Sequence, residues 1–129
     1  MKAALGSIVE WLDAKILSGE ECLGVTVDTV LACDLMSDLL AHPKPGALLV
    51  TGLASIQMIH ALIVSDMTAA VVCRGKLPEH RVVELARDNK IALFSTRKAL
   101  FEVCGALYAK GLRGIPPEEH FVHVVKTPV

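Results

Sequence analysis

From residue 47 onward, apolar and polar positions alternate in blocks. "ALLVT" is apolar almost throughout, and 54–65 then repeats apolar side chains at helical spacing through Ile56, Ile59, Leu62 and Ile63. "AAVVCRG" and "IALFST" open as two more apolar runs, separated by "LPEHRVVELARDNK" with Val82, Val83, Leu85 and Ala86 along one side. "RKALFEVCGALYAKG" is a last helical stretch, closed by Gly111. Short runs without a polar face, alternating with amphipathic helices, predict strands covered on both sides in a parallel sheet. Right-handed crossovers are the default for such units. The expected fold is therefore α/β, a three-layer α/β/α arrangement with a mainly parallel sheet.

Upstream of residue 47 the pattern is less regular. "MKAALGSIVEWLDAK" reads as an amphipathic helix with Leu5, Ile8, Trp11 and Leu12 toward one side. "GVTVDTVLA", residues 24–32, alternates as a strand, and 33–42 places Leu35, Met36 and Leu39 at helical spacing. His42-Pro43-Lys44-Pro45-Gly46 ends that helix, because proline removes a backbone donor and restricts the residue before it. A second proline break at Pro116-Pro117 opens "IPPEEHFVHVVKTPV". The chain thus divides into one domain, 1–114, and a C-terminal extension, 115–129, read as an edge strand, a loose tail or an arm for a partner subunit.

One segment needs arbitration. "GALLVTGLASIQMIHALIVSD", residues 46–66, has no charge before Asp66 and is long enough to cross a bilayer. Gly52 lies at a strand-to-helix turn inside it, and Gln57 and His60 would face hydrocarbon without partners. It is read as a buried strand, a turn and a core helix, with no membrane partner.

The net charge of −1 and an aromatic content of 4% exclude the basic patches and stacking platforms of nucleic-acid binders. Cys22, Cys33, Cys73 and Cys104 form no Cys-x-x-Cys pair, and the N-terminus does not read as a signal peptide. The expectation is a cytoplasmic protein with reduced, mostly buried thiols.

Chemistry is sought at the turns that follow the strands. Thr51 and Gly52 end the first, with Ser55 placed to cap the next helix. Arg74, Gly75 and Lys76 end the second, and Ser95 and Thr96 end the third, either one placed as a cap and followed by Arg97 and Lys98. The bland reading is that the glycines permit tight turns and the cations are solvated. The functional reading is that three turns on one sheet edge, two of them basic, hold a small anion. No phosphate-loop or dinucleotide fingerprint accompanies them.

Catalysis and metal binding find little support. His42, His60, His80, His120 and His123 are not at metal-ligand spacing, and His120 and His123 point to opposite faces of a strand. Asp34 and Asp38 at i, i+4 suit a solvated helix face better than a divalent ion. Cys73 ends an apolar strand, so it reads as core despite the neighbouring Arg74. No metal, no cofactor and no enzymatic activity are expected.

The order "ILSGEE…GVTVDTV…LLVTG…IQMIHALI…AAVVCRGKLPEHRVVELARDNKIALFST" resembles the DRTGG domain, over about residues 3–111. This module occurs in the regulatory region of some phosphotransacetylases, inside some nucleotide-regulated inorganic pyrophosphatases, and as short stand-alone bacterial and archaeal proteins. It is also similar to the N-terminal domain of HPr kinase/phosphorylase. The resemblance implies a dimer-forming regulatory module that binds an adenine nucleotide, typified by adenine dinucleotide polyphosphates, and works beside a partner enzyme. Kinase activity is not implied, since a phosphate loop is missing. Two positions depart from the family pattern. Gly52-Leu53 stand where the family has its Asp-Arg pair, and Arg74-Gly75-Lys76 stand where it has Thr-Gly-Gly. The ligand-binding candidates are accordingly Thr51, Gly52, Arg74, Gly75, Lys76, Ser95 and Thr96. A protein–protein interaction domain without a small-molecule ligand is the alternative, with the apolar 56–63 helix and the "HFVHVVKT" tail as its surface.

Overall fold

A computed structural model describes residues 1–116. The domain boundary drawn at 114 falls at the end of this range, and the strand or arm expected beyond Pro116 lies outside the described residues.

A five-stranded sheet in the order β2-β7-β6-β5-β4 organises the fold. Its parallel part comprises β4 (Val30–Ala32), β5 (Leu48–Thr51), β6 (Ala69–Val72) and β7 (Ala92–Ser95), paired in that sequence. Every residue of β5, β6 and β7 is buried, which explains why these strands are apolar on both faces. Alternate residues serve different cores. Leu48, Val50, Val71 and Phe94 pack with α1 (Leu5–Leu12) and α5 (Leu100–Ala109), whose Ile8, Leu12, Val103 and Leu107 are buried. Leu49, Ala70, Val72 and Leu93 pack on the other face with α2 (Met36–Ala41), α3 (Ile56–Val64) and α4 (His80–Asp88). Two helical layers around a mainly parallel sheet give the three-layer α/β/α architecture.

The 46–66 segment, without charge before Asp66, is β5, a turn and α3. Ser55 caps α3 by accepting from the Met58 amide at 3.4 Å. Met58, Ile59, Ala61 and Leu62 face inward, while Ile63, expected in the core, is 41% exposed. Gln57 and His60 are exposed as well, so the helix is half-wet along its length. Among the described residues no helix is long and apolar enough to cross a membrane.

The first third departs most from its pattern. The N-terminal helix ends at Leu12, and Lys15–Ser18 forms β2, an antiparallel edge strand on β7 with a register shift between Ile16 and Ser18. Residues 24–32 are not one strand. Thr26–Val27 (β3) pairs with Ala3–Ala4 (β1) in a separate two-stranded sheet, and only Val30–Ala32 joins the main sheet. The break falls at Asp28-Thr29, where the Thr29 hydroxyl donates to the Asp28 carboxylate at 3.0 Å. Helix α2 starts at Met36, leaving Leu35 64% exposed and Leu39 as its buried anchor. Of the four cysteines only Cys73 is buried; Cys22, Cys33 and Cys104 are half-buried.

Candidate functional site

Because β4 to β7 run parallel, their C-terminal ends share one edge of the sheet, and the turns after β5, β6 and β7 carry all seven predicted residues. The turn after β4 adds an eighth participant, Asp34. Its carboxylate accepts a hydrogen bond from the Thr51 hydroxyl at 3.0 Å and from the Gly52 amide at 2.7 Å. The Thr51 hydroxyl in turn accepts from the Leu53 amide at 3.1 Å, so this fully buried side chain shapes the turn from within. Asp34 precedes α2 instead of lying in it, so it does not share a helix face with Asp38. The sequence carried one signal for its role, an aspartate two residues beyond the strand that neighbours β5.

The turn after β6 has two consecutive left-handed residues, Arg74 at φ 67° and Gly75 at φ 70°. Glycine adopts that region freely, whereas arginine there costs about 1 kcal/mol or more. The conformation directs the Arg74 amide to the Lys98 carbonyl at 2.9 Å and the Gly75 amide to the Thr96 carbonyl at 2.7 Å. The turns after β6 and β7 are thereby sewn together. Lys76 reaches the other way and donates its ammonium to the Gly52 carbonyl at 2.7 Å. The Gly52 residue is thus held at its N–H by a carboxylate and at its C=O by an ammonium.

Ser95 and Thr96 do not cap the following helix. The Ser95 hydroxyl donates to the Lys76 carbonyl at 2.7 Å, and the Thr96 hydroxyl donates to the Leu12 carbonyl at 2.8 Å, while α5 begins after Ala99 without a side-chain cap. Both side chains are buried, and their bonds join the β7 turn to the β6 turn and to the end of α1. The structure therefore brings all seven candidates together. Thr51, Ser95 and Thr96 form the internal scaffold, and Arg74, Gly75 and Lys76 are exposed. Lys15, Arg97 and Lys98 extend the exposed cationic set at the same edge, and Lys15 comes from the strand that the sequence pattern did not reveal.

A cleft of about 280 Å³ opens at this edge, lined by Asp13, Lys15, Gly75, Leu77, Ser95, Thr96 and Arg97. A second, mostly apolar hollow of about 160 Å³ lies between β4 and α5. Among the described residues its one cation, Arg113, sits 3.8 Å from the Tyr108 ring centre and donates to the carbonyls of Tyr108 and Leu112 at 3.1 and 2.8 Å. That guanidinium is consumed by its own surroundings.

The thiols of Cys33, Cys73 and Cys104 are held in their protonated form, which disfavours nucleophilic work. Burial first, with nearby Cys104 and Asp34 adding to it, pushes the Cys73 thiol up to about 11. Burial, assisted by Asp38 and Asp34, raises Cys33, and burial raises Cys104. His80 is exposed and paired with Glu84 at 2.7 Å. Among the described residues no group of three or more His, Cys, Asp and Glu side chains is gathered for a metal ion.

The DRTGG domain family matches the chain over residues 7–109, most of its length. The chain belongs to the DRTGG domain family. No curated protein matches it. Among solved structures, this DRTGG domain is similar to the CBS and DRTGG domains of the regulatory region of Clostridium perfringens pyrophosphatase, complexed with the activator diadenosine tetraphosphate. The two share 21% identity with a TM-score of 0.69, over 81% of this chain and 45% of that one. The likeness is one of fold, and the present chain spans less than half of that structure. In this DRTGG domain the Gly52-Leu53 turn, where the family's Asp-Arg pair was expected, is held by Asp34 and Lys76.

Proposed function

We propose that this DRTGG domain is a non-catalytic regulatory module that senses an adenine nucleotide or another small anion at its strand-end turns. The observation that carries the reading is the convergence of Lys15, Arg74, Lys76, Arg97 and Lys98 on the single edge where β5, β6 and β7 end. Cations concentrated at the C-terminal edge of a parallel sheet, in a chain with net charge −1, mark a place for an anion. Thr51, Ser95 and Thr96 hold the turns in place, Gly52 is fixed between Asp34 and Lys76, and Arg74 and Gly75 lie exposed beside Lys15, Arg97 and Lys98. The activator bound by the pyrophosphatase regulatory region supports a nucleotide as the anion. The module acts in the cytoplasm as a homodimer and conveys ligand occupancy to a partner enzyme.

A thermal-shift screen with ATP, ADP, AMP and diadenosine polyphosphates tests the proposal, since a ligand bound only by the native state raises the melting temperature. A shift is expected with at least one of them. No shift at millimolar concentration removes the nucleotide reading.

A second reading is favoured by exposed apolar side chains. Val64 on α3 is 76% exposed, and Phe101 and Tyr108 on α5 are 82% and 61% exposed. These surfaces suit an assembly domain that docks on itself or on an enzyme without a small ligand. Light scattering after size exclusion, on the full chain and on one truncated after Gly114, separates the possibilities. An unchanged oligomer after truncation counts against a tail-mediated interface.

A further inference from the structure

We propose that the cleft formed by the β6 and β7 turns with Asp13 and Lys15, and not the Gly52 turn, is where a mononucleotide binds, with its phosphate held by Lys15 and Arg97. The proposal rests on the regulatory reading above and locates its ligand.

The winding of the chain supplies the first argument. The helices that follow β4, β5 and β6 all pack in the core on one face of the sheet, whereas α5, which follows β7, packs on the other. Adjacent strands whose connections leave to opposite faces open a crevice between them, and in open α/β sheets ligands occupy that crevice. Among β4 to β7, only the β6–β7 pair has this divergence. The cleft takes Gly75, Leu77, Ser95, Thr96 and Arg97 from the ends of those two strands, and Asp13 and Lys15 from the end of α1 and the start of β2.

The state of the Gly52 turn supplies the second. An anion at a strand-end turn needs free N–H groups, but the Gly52 amide already serves Asp34 and its carbonyl holds Lys76. The Asp34 carboxylate already accepts the donors of this turn. At the β6–β7 crevice the turn amides are likewise bonded, to Thr96 and Lys98 carbonyls, so charge there must come from side chains. Lys15, at the start of β2, and Arg97, just after β7, both line the cleft and are exposed. A guanidinium and an ammonium lining one cleft suit a phosphate, the first by its planar fork and the second as a point charge.

The remaining lining selects the ligand class. Asp13 and the C-terminal end of α1 add negative character to one wall, which disfavours a bare inorganic anion. A nucleotide turns that wall to use, because sugar hydroxyls and a base amine donate to a carboxylate. Leu77, 63% exposed at the rim, offers an apolar surface to the base. A volume of about 280 Å³ falls just below the usual range of ligand sites, which starts near ~300 Å³. That suits one nucleotide unit, leaving the second half of a dinucleotide outside.

The test is calorimetric titration of the full chain with AMP, adenosine and inorganic phosphate. The wild type is compared with the Lys15→Ala/Arg97→Ala variant and with a charge-matched Lys2→Ala/Lys90→Ala control. The expected result is AMP bound more tightly than either adenosine or phosphate, weakened tenfold or more by the cleft variant and less than twofold by the control. Amide NMR of the wild type gives a reading independent of variant folding: AMP should move Gly75 and Arg97 and leave Gly52 in place. If AMP binds with equal strength to the cleft variant, or moves Gly52 instead, the location is overturned while the sensing function stands. If inorganic phosphate binds as tightly as AMP, the mononucleotide assignment falls. If the wild type binds none of the three while other nucleotides raise its melting temperature, the cleft proposal fails alone. If no nucleotide acts at all, both fail.

Discussion

Replacing Asp34 by alanine isolates the bond system that fixes the β5 turn. Two donors lose their acceptor. The Thr51 hydroxyl is fully buried, so leaving it without an acceptor costs about 1–3 kcal/mol. The Gly52 amide lies at the surface, where water replaces most of the lost bond, adding less than ~1 kcal/mol. The expected destabilisation is about 2 kcal/mol, or roughly 6–10 °C in melting temperature for a domain of this size. Asp34→Asn keeps an acceptor oxygen and should cost about half as much. Urea unfolding measures each value, and a double-mutant cycle with Thr51→Val separates the pair from its surroundings. Once Thr51 has no hydroxyl to satisfy, removing Asp34 should cost about 1 kcal/mol less than in the wild type. Strict additivity of the two substitutions, or an Asp34→Ala cost below ~0.5 kcal/mol, would refute the view that this carboxylate organises the turn.

Two further outcomes bear on the fold and its thiols. Gly19 has φ 88°, and an added Cβ would sit 2.5 Å from the Ala92 Cα, so Gly19→Ala should cost about 3 kcal/mol or more by thermal melting; Gly105, with open space around its Cβ position, should become slightly more stable as alanine, and similar results for the two would contradict the close passage of β2 against β7. Cys73 titrates near 11 in the fold against an ordinary 9.0, so its thiol should resist iodoacetamide at pH 8 and stability should fall as pH rises from 9.0 toward 11, where the unfolded thiol ionises first; rapid modification of Cys73, or a pH slope unchanged in Cys73→Ala, would count against that burial.

The candidate site was legible in outline. Gly75 and its cationic neighbours, and the hydroxyls at 51, 95 and 96, follow from reading strand ends in an α/β rhythm, and the structure gathers them at one edge. What escaped were the partners from distant segments. Asp34 was read as part of a helix, Lys15 as the end of another, and Arg97 only as a neighbouring charge. Their positions depend on which strands lie side by side, which is non-local information. The hydroxyls of Ser95 and Thr96 were read as local helix caps, but their bonds go to Lys76, 19 residues away, and to Leu12, 84 residues away.

By itself the sequence determined the parallel core and its two covering layers. Hydrophobic periodicity reports burial on each face of each element, and β5, β6 and β7 are buried on both. Tertiary structure decided the rest. Four residues of modest hydrophobicity became β2 because β7 offered an unpaired edge, and the 24–32 run was divided because β1 and β5 each claimed part of it. It also decided that α5 leaves β7 toward the opposite face from α4. Because β2 pairs antiparallel along β7, Asp13 and Lys15 are carried to the hydrogen-bonded β6 and β7 turns, and the cleft lies among these segments.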